Sequence, residues 1–338
     1  MKAVVVHGAG DLRIEELPDP IPGVGEVLIS MEWGGICGSD LAYWKYGRSG
    51  TALLKNPMVL GHEASGRISA LGSGVVSLQV GQSVTFQPAQ LVGDGVMSER
   101  LSGRTNLYPQ VRYCGSAQFD PHTDGLFSQL KIMKADQVRV LPDGLDTRRG
   151  ALAEPLAVAL HAVVRAGDVK GKVILVNGCG AIGSLIIAAL KYSGATKVLA
   201  ADVSPHALKV ARAMGADEVI DLTNLLVDDE ITISFDASGA PAALGNLLHA
   251  TAKGGTVVQV GNLPSTAIQA VLGDLVTREL SWVGSFRFSA EIDDAIAALA
   301  SGLDVEPLIT HEFELADAEQ AMSVAAGGGS SKVLLNLR

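Results

Sequence analysis

The sequence predicts an α/β plus β protein, in which a β-rich first part is followed by a doubly wound parallel sheet. Three observations support this class. Up to about residue 145, short apolar runs are separated by Gly and Pro turn signals, as in β-rich domains. From about residue 148, short apolar runs alternate with helical patterns, as in parallel sheets. Residues 173–183 combine a strand pattern with a Gly-x-Gly-x-x-Gly turn that opens a helix.

The first part contains several strand candidates bounded by turn signals. Residues 26–31 and 64–71 are apolar-rich runs of strand length, and residues 79–85 carry a turn into another strand. Residues 88–109 have little periodicity and predict a long loop. Loops of that length are uncommon unless they are functional or lie at an interface.

The second part begins with a helical pattern at 149–165 and continues with parallel-strand candidates. We expect a sheet of about six strands, formed by residues 173–176, 197–201, 218–220, 231–236, 256–260 and 280–285. Helices are expected near 290–300 and 316–325, and a closing strand is expected at 332–337.

The glycine turn is the strongest functional signal in the sequence. Gly178 permits a tight turn, Gly180 lets a pyrophosphate approach the backbone, and Gly183 allows close packing of helix and strand. Asp202 ends the next strand about 20 residues later, where an acid meets the ribose hydroxyls of NAD. The predicted cofactor-binding residues are Gly178, Gly180, Ala181, Ile182, Gly183, Asp202 and Val260. The alternative is a glycine-rich turn that binds nothing.

Composition and charge argue against several classes of function. The 338 residues suffice for about two domains, and the 18% of charged residues suits a well-buried enzyme. A net charge of −10 without a long basic run argues against nucleic acid and anionic membranes as partners. No apolar run is long enough to span a bilayer, and the N-terminus shows no signal-peptide cleavage region. Three cysteines cannot form a disulfide framework and fit the reducing cytoplasm.

Four side chains are candidates for a metal or catalytic site: Cys37, His62, Glu63 and Glu154. Thiolate, imidazole and carboxylate are ligands of Zn²⁺, and a catalytic zinc has three protein ligands and an open position. Taken alone, Cys37 is more typical of a small buried hydrophobe, His62 of a structural histidine, and Glu154 of a surface turn. The spacing is too irregular for a structural zinc finger.

Four motifs carry a resemblance to a known family: Gly-Ile-Cys-Gly-Ser-Asp, Gly-His-Glu, Ala-Glu-Pro-Leu-Ala-Val-Ala-Leu-His-Ala and Gly-x-Gly-x-x-Gly. They resemble the zinc-dependent medium-chain dehydrogenases, and most closely the polyol branch with its sorbitol and L-idonate 5-dehydrogenases. Residues 114–117, 121–125, 201–205 and 284–288 resemble the idonate enzymes in particular. The resemblance extends over essentially the whole chain.

The resemblance implies a fold and an assembly. A GroES-like catalytic domain is expected at 1–147, a Rossmann cofactor domain at 148–285, and a C-terminal segment at 286–338 that returns to the catalytic domain. We expect a homo-oligomer, either a dimer or a homotetramer, that acts on a small-molecule polyol or sugar acid in the cytoplasm.

The resemblance also implies the roles of the candidate residues. Catalytic zinc would be held by Cys37, His62 and Glu63, with Glu154 as a fourth ligand or as a partner of the bound water. Ser39 would form a hydrogen bond with the alcohol oxygen.

Two further catalytic candidates would face the substrate chain, namely Tyr43 and Arg287. The guanidinium of Arg287 would pair with a substrate carboxylate, because its fork geometry matches that group. The alternative for Arg287 is a surface or domain-bridging cation.

The chain departs from the family pattern in two places. The region that commonly binds a second, structural zinc through four cysteines corresponds to residues 88–113, which contain no cysteine. Structural zinc is therefore predicted to be absent, and packing or a neighbouring subunit must hold that region. Ala42 stands where the family often has a proton-relaying histidine. The proton must leave through water, a ribose hydroxyl or Glu154.

The resemblance implies zinc-dependent oxidation of L-idonate to 5-ketogluconate. NAD is the expected cofactor rather than NADP, because Asp202 would repel a 2′-phosphate. His206 or Lys209 would soften this preference if either reached the phosphate. One alternative is a general polyol or secondary-alcohol dehydrogenase. Another is a metal-free nucleotide-binding protein on the same fold, which would have no need of the Cys37, His62 and Glu63 set.

Overall fold

The computed structural model describes residues 1–221 and 231–338, which form two compact units. The first unit comprises Met1–Glu154, Ala295–Ser301 and Ile309–Arg338, and the second comprises Pro155–Asp294 and Gly302–Leu308. The chain therefore crosses between units after residues 154, 294, 301 and 308. The sequence predicted divisions after 147 and 285.

The first unit is built mainly from short strands. Its elements before residue 153 are β1 (Lys2–Gly8), β2 (Asp11–Glu16), β3 (Glu26–Gly35), α1 (Gly38–Tyr46), β4 (Arg48–Ser49), β5 (Ala52–Leu53), β6 (Met58–Val59), β7 (Glu63–Leu71), β8 (Ser83–Phe86), β9 (Ala89–Leu91), β10 (Val111–Tyr113), β11 (Leu130–Lys134), β12 (Val138–Val140) and α2 (Thr147–Gly150).

Helices separate most of the strands in the rest of the described chain. They are α3 (Ala153–Ala166), β13 (Val173–Asn177), α4 (Ala181–Tyr192), β14 (Lys197–Asp202), α5 (Pro205–Ala213), β15 (Glu218–Asp221), β16 (Ile231–Asp236), α6 (Pro241–Ala250), β17 (Thr256–Gln259), α7 (Gly273–Thr277), β18 (Ser281–Gly284), α8 (Ile292–Ala300), β19 (Ile309–Glu314), α9 (Ala318–Ala325) and β20 (Lys332–Asn336).

The largest sheet of the first unit has the strand order β12–β8–β7–β3–β20–β19, and β11 also pairs with β3. Strand β3 runs antiparallel to both of its neighbours in this order, with Gly35 opposite Glu63 of β7 and opposite Leu334 of β20. Its alternate apolar residues enter the core, where Val27, Ile29 and Met31 are fully buried. The carboxyl end of β3 therefore lies between the first residues of β7 and β20.

The segment at 88–109, predicted to be a long loop, is interrupted by β9, which pairs antiparallel with β10. This hairpin closes a small lobe with an apolar cluster of its own, formed by Tyr108, Val111 and Tyr113 with Ala89 and Met97 packed against them. The hydroxyl of Tyr108 accepts a hydrogen bond from the backbone N–H of Gly95 at 2.8 Å. This part of the chain thus has packing contacts of its own.

The second unit contains a six-stranded sheet with the order β15–β14–β13–β16–β17–β18. All of its neighbouring strands are parallel. The central strands read as continuous apolar runs because helices cover both faces of such a sheet. This confirms the predicted fold class of a β-rich domain and a doubly wound parallel sheet. Among the helices of the described residues, none has the length and apolar character needed to cross a membrane.

Candidate functional site

Adjacent strands bring the predicted metal ligands together in the first unit. Cys37 follows β3 directly and is the N-cap residue of α1, while His62 and Glu63 lie at the start of β7. Gly35 makes room for this arrangement, because a Cβ atom there would collide with the Glu63 carboxylate. Lys332, the first residue of β20, enters from the other side of β3.

Cys37, His62 and Glu63 form a compact donor set. One thiol sulfur, one imidazole nitrogen and one carboxylate oxygen lie within 4.8 Å of one another. His62 and Glu63 are buried, and Cys37 is half-buried. This is a donor set that zinc takes in catalytic sites, where three protein ligands leave one position open. The residues present therefore fit a catalytic zinc.

Negative charge surrounds the buried imidazole of His62. Burial alone disfavours its charged form, but Cys37 and Asp40 favour it more strongly and hold the pKa of His62 well above its ordinary value. Metal binding requires the neutral imidazole, so a divalent cation would compete with the proton for His62.

Lys332 supplies a buried positive charge beside the donor set. Its Nζ atom lies 2.8 and 2.6 Å from the two carboxylate oxygens of Glu63 and donates to the backbone carbonyl of Ile36 at 3.1 Å. Burial opposes the charge on this amine, but Glu63 and Cys37 outweigh burial and raise the pKa of Lys332. Sequence reasoning did not identify this residue.

Asp40 links the α1 N-terminus to the turn before His62. Its fully buried carboxylate accepts hydrogen bonds from the backbone N–H of Cys37 at 2.9 Å and of Gly61 at 3.1 Å. Its Oδ1 atom also lies 3.9 Å from Nδ1 of His62. Asp40 therefore fixes the backbone on both sides of the donor set. It belongs to the quoted Gly-Ile-Cys-Gly-Ser-Asp motif, although it was not selected as a site residue.

Glu154 occupies the second position of α3 and is engaged by a tyrosine. The hydroxyl of Tyr113 donates to Oε1 of Glu154 at 2.5 Å, and the Tyr113 ring meets His62 edge-on at 5.7 Å. Burial raises the pKa of Glu154 to about 6. Glu154 is not part of the three-residue donor set of the described residues. Sequence reasoning missed Tyr113, which ends the cysteine-free region 88–113.

Ser39 and Tyr43, the other candidates of the first unit, both lie on α1. Ser39 is half-buried and follows Cys37 by two residues. Tyr43 is buried in the core, where its hydroxyl accepts a hydrogen bond from the backbone N–H of Ala117 at 3.0 Å. The structure thus gives Tyr43 a structural contact, and its predicted contact with substrate stays a prediction.

The glycine turn of the second unit has the strained geometry that its sequence requires. Gly178 has φ +86°, and a Cβ atom there would lie 2.5 Å from the backbone nitrogen of Ser238. A Cβ atom at Gly183 would strike the carbonyl oxygen of Gly178, whereas Gly180 faces open space at the N-terminus of α4. Ala181 and Ile182 are the first residues of that helix.

Asp202 ends β14 and contacts the glycine turn directly. Its carboxylate accepts hydrogen bonds from the backbone N–H of Cys179 at 2.6 Å and of Ser204 at 2.8 Å. Val260 follows β17 and donates its backbone N–H to the carbonyl of Asp236 at 2.9 Å. All the predicted cofactor residues therefore lie at or just beyond the carboxyl ends of parallel strands, where doubly wound sheets bind nucleotides.

Arg287 lies in the second unit, after β18, whereas the donor set lies in the first. It is a non-glycine residue with positive φ, at 51°, and its guanidinium lies 4.9 Å from the centre of the Phe286 ring. This cation–π contact orients the side chain. A role in substrate binding stays a prediction.

A zinc-type donor set in a β-rich unit and a glycine turn on a parallel sheet define an NAD(P)-linked, zinc-dependent dehydrogenase. A family model described as "Alcohol dehydrogenase GroES-like domain" matches residues 23–143, and one described as "Zinc-binding dehydrogenase" matches residues 181–301.

Known relatives agree with both matches. Sorbitol dehydrogenase from Gallus gallus is 37% identical, with 98% of this chain and 95% of the relative covered. L-idonate 5-dehydrogenase (NAD(P)(+)) from Escherichia coli K12 is 36% identical, with 88% of each chain covered. The crystal structure of L-idonate 5-dehydrogenase from Escherichia coli K-12 superposes with a TM-score of 0.93 at 34% identity, with 99% of this chain and 97% of that chain covered. The chain belongs to the zinc-dependent medium-chain dehydrogenases, as a member of their alcohol and polyol dehydrogenase group.

Proposed function

We propose that the chain oxidises a secondary alcohol of L-idonate to the ketone of 5-ketogluconate. The alcohol loses a hydride to NAD, giving NADH, and loses its hydroxyl proton to solvent. The observation that carries the dehydrogenase chemistry is the buried donor set of Cys37, His62 and Glu63. The likeness over nearly the whole length to an L-idonate 5-dehydrogenase structure supports the substrate.

A general polyol dehydrogenase is the second candidate. The identity to sorbitol dehydrogenases, 37% over 98% of the chain, favours it as much as the identity to the idonate enzyme favours L-idonate. The two substrates differ by one carboxylate, so a cation at the substrate distinguishes the candidates. Arg287 is the cation proposed for that role.

The donor set would hold one zinc ion per chain through Cys37, His62 and Glu63. When bound, zinc supplies Lewis-acid polarisation of the substrate hydroxyl. Lys332 contacts both carboxylate oxygens of Glu63 at 2.6 and 2.8 Å, and this fixes the orientation of the Glu63 carboxylate within the donor set. Asp40 fixes the backbone before His62, because its carboxylate accepts a hydrogen bond from the N–H of Gly61.

The alcohol must release its hydroxyl proton during the reaction. Because Ala42 stands where the family often has a proton-relaying histidine, another group must accept this proton. The hydroxyl of Ser39 both accepts and donates hydrogen bonds and is proposed to orient the alcohol. The buried carboxylate of Glu154, held at Oε1 by Tyr113, is proposed as a partner of water at the site.

The glycine turn and Asp202 are proposed to bind NAD. The free N–H groups at the start of α4 would contact the pyrophosphate, and the Gly180 position is open for its approach. Asp202 would face the adenosine ribose and repel a 2′-phosphate. Supporting this, Asp202 is already held against the turn by Cys179 and Ser204.

We also propose a homo-oligomer, a dimer or a tetramer, as the resemblance to the medium-chain dehydrogenases implies. A cytoplasmic location is proposed as well, because three free cysteines suit a reducing compartment. Light scattering after gel filtration measures the assembly directly.

A substrate panel tests the proposed function. The zinc-loaded protein is assayed by NADH absorbance with L-idonate, D-gluconate, sorbitol and xylitol at equal concentrations. We expect the highest kcat/KM for L-idonate and formation of 5-ketogluconate. A preference for sorbitol or xylitol would favour the polyol alternative. Failure of the purified protein to take up zinc, together with no activity on any of the four substrates, would favour the metal-free alternative.

A further inference from the structure

Three polar side chains form one row across the carboxyl edge of the parallel sheet. Asn177, the last residue of β13, lies opposite Asp236, the last residue of β16. Asp236 in turn lies opposite Gln259, the last residue of β17. No step of the proposed reaction uses this row.

Asp236 is the centre of the row and is fully buried. Its Oδ1 atom accepts hydrogen bonds from Nδ2 of Asn177 at 3.0 Å and from the backbone N–H and hydroxyl of Ser238 at 3.1 and 2.6 Å. Its Oδ2 atom accepts from Nε2 of Gln259 at 2.5 Å. Every group that faces this carboxyl in the row is a neutral donor.

This arrangement determines which way both amides point. An amide turned around would place its carbonyl oxygen against a carboxylate oxygen, and two acceptors cannot bond to each other. The NH₂ groups of Asn177 and Gln259 must therefore face Asp236. Their carbonyl oxygens, Oδ1 of Asn177 and Oε1 of Gln259, are buried without a hydrogen-bond partner among the described residues. A buried acceptor without a donor is costly, so these two atoms need donors from outside the row.

The position of the row indicates what supplies those donors. The row lies at the carboxyl ends of β13, β16 and β17. The strand order reverses between β13 and β16, because the chain adds β14 and β15 on one side of β13 and β16 to β18 on the other. Ligands of doubly wound sheets bind at this point. Asp202 ends β14, on the opposite side of β13 from Asp236 and Gln259. With the adenosine ribose at Asp202 and the pyrophosphate at the glycine turn, the nicotinamide nucleoside lies on the side of β16 and β17.

We propose that the carbonyl oxygens of Asn177 and Gln259 accept hydrogen bonds from the nicotinamide nucleoside of the bound cofactor. Its ribose hydroxyls and its carboxamide N–H are the donor groups available. Asp236 is a positioning residue, since it orients both amides and does not itself face the cofactor. This inference rests on the proposed function, because it requires that the chain binds NAD.

Calorimetric titration of the zinc-loaded protein tests the proposal without relying on turnover. Gln259→Met and Asn177→Leu preserve side-chain volume and remove the carbonyl acceptors together with the amide donors to Asp236, so the unfolding free energy of each variant is measured alongside. We expect each to weaken NAD binding by about five- to thirty-fold, since the donors of the cofactor lose their partners. Binding of ADP, which lacks the nicotinamide nucleoside, should change by less than about two-fold in both variants. Gln259 is only half-buried, so Gln259→Met keeps the test available if Asn177→Leu does not fold.

A matched control and an analogue separate the remaining explanations. Ser234→Ala, on the same strand as Asp236, removes a buried hydroxyl pair with Thr251 at 2.8 Å that lies away from the row, and it should leave NAD binding unchanged. The 3-acetylpyridine analogue of NAD lacks the carboxamide N–H and keeps the ribose hydroxyls. A loss that persists with the analogue assigns the donors to the ribose, and a loss that disappears assigns them to the carboxamide.

Two results would overturn the proposal. If wild-type protein binds NAD and both folded variants bind it equally well, the carbonyl oxygens face internal water and the row is structural. If the wild-type protein binds neither NAD nor NADP, the proposed function fails and this proposal fails with it. The wild-type titration therefore distinguishes the two failures.

Discussion

Lys332 holds Glu63 through both carboxylate oxygens, at 2.8 and 2.6 Å, and the two side chains are only 2% and 1% exposed. A buried ion pair of this kind is stable only while both partners are present. With zinc at the donor set, the charges of Cys37 and Glu63 would be balanced by the metal as well as by Lys332. The contribution of Lys332 to stability should therefore depend on whether metal is bound.

Lys332→Met tests this dependence on metal. Without zinc, the substitution leaves the buried Glu63 carboxylate unpaired, which should cost about 3–5 kcal/mol of unfolding free energy. With zinc bound, the metal compensates Glu63 and the cost should be clearly smaller. Denaturant unfolding with and without a chelator measures both values. Lys191→Met, which breaks an exposed pair with Asp217 at 2.9 Å, should cost less than about 1 kcal/mol in both forms. Equal losses for Lys332→Met in the two forms would contradict the charge-balance argument.

Zinc content is predicted to be one ion per chain. Cys37→Ala or His62→Ala should remove it and reduce activity to background, while the fold survives because a catalytic metal contributes little to the folding of a large domain. Cys114→Ala is the matched control, since Cys114 is a buried cysteine of the same unit outside the donor set. Elemental analysis measures the metal. Two zinc ions per wild-type chain would show that the lobe around Tyr108 is not held by packing alone.

The sequence predicted the parallel sheet better than the β-rich unit, for a physical reason. Strands covered on both faces are continuous apolar runs, so β13, β14 and β16 could be recognised from residue type alone. Strands β4, β5 and β6 have two residues each and carry no periodicity. Strand β9 was missed because its three residues, Ala89–Leu91, are exposed or half-buried and show no apolar alternation.

The candidate site shows the same limit. Cys37, His62 and Glu63 are residue types that bind zinc, but they were selected as a set because their motifs resemble those of the zinc-dependent dehydrogenases. Lys332 could not, because a lysine at the start of a predicted strand resembles a surface charge. Its burial depends on the pairing of β20 with β3, and its bond to Ile36 spans 296 positions. The role of Tyr113 could not be predicted for a similar reason. Its hydroxyl contacts Glu154, 41 positions away in sequence, only because tertiary packing brings the two residues together.

Cofactor preference should follow the charge of Asp202. We expect NAD to be favoured over NADP by at least ten-fold in kcat/KM, or about 1.4 kcal/mol, because the carboxylate repels a 2′-phosphate. Asp202→Asn should reduce this ratio, since it removes the charge and keeps the size. Asp168→Asn, at an exposed residue before β13 and thus at the opposite end of the strands from Asp202, is the matched control and should leave the ratio unchanged. Equal efficiency of the wild-type protein with both cofactors would contradict the prediction.

The pH dependence of stability should include a contribution from Glu291. Burial alone would raise the pKa of this carboxyl, but hydrogen bonds from His161 at 2.8 Å and from the backbone N–H of Ser289 at 2.7 Å outweigh burial and lower it. A lowered pKa stabilises the folded state above the ordinary value of 4.5, and this stabilisation is lost as pH falls through the lower folded value. The stability difference between wild type and Glu291→Gln should thus be full at pH 6 and shrink below pH 4.5. Urea unfolding across this range measures it, with the exposed Glu319→Gln as control. A difference that stays constant down to pH 3 would assign the effect to packing.

Arg287→Gln tests whether Arg287 binds the carboxylate of the substrate. An aldonate differs from a polyol by one carboxylate, and the protein is acidic overall, with a net charge of −10. Binding the acid therefore requires a local cation, and the guanidinium of Arg287 is oriented by the Phe286 ring at 4.9 Å. Losing a charge-assisted hydrogen bond costs about 1.5–3 kcal/mol, so KM for L-idonate should rise roughly ten- to a hundred-fold. Activity on sorbitol or xylitol should be nearly unchanged.

Steady-state kinetics of Arg287→Gln on both substrate classes decide between the two proposed functions. Arg212→Gln is the control, because Arg212 lies in the same unit and donates only at 3.3 Å to the carbonyl of Asp217. A selective loss with L-idonate means that Arg287 recognises the carboxylate, since a neutral polyol offers no partner for its charge. An equal loss with both substrates means that the arginine contacts cofactor or hydroxyl groups. L-idonate would then lose its best residue-level support, and general polyol oxidation would become the better account of this site.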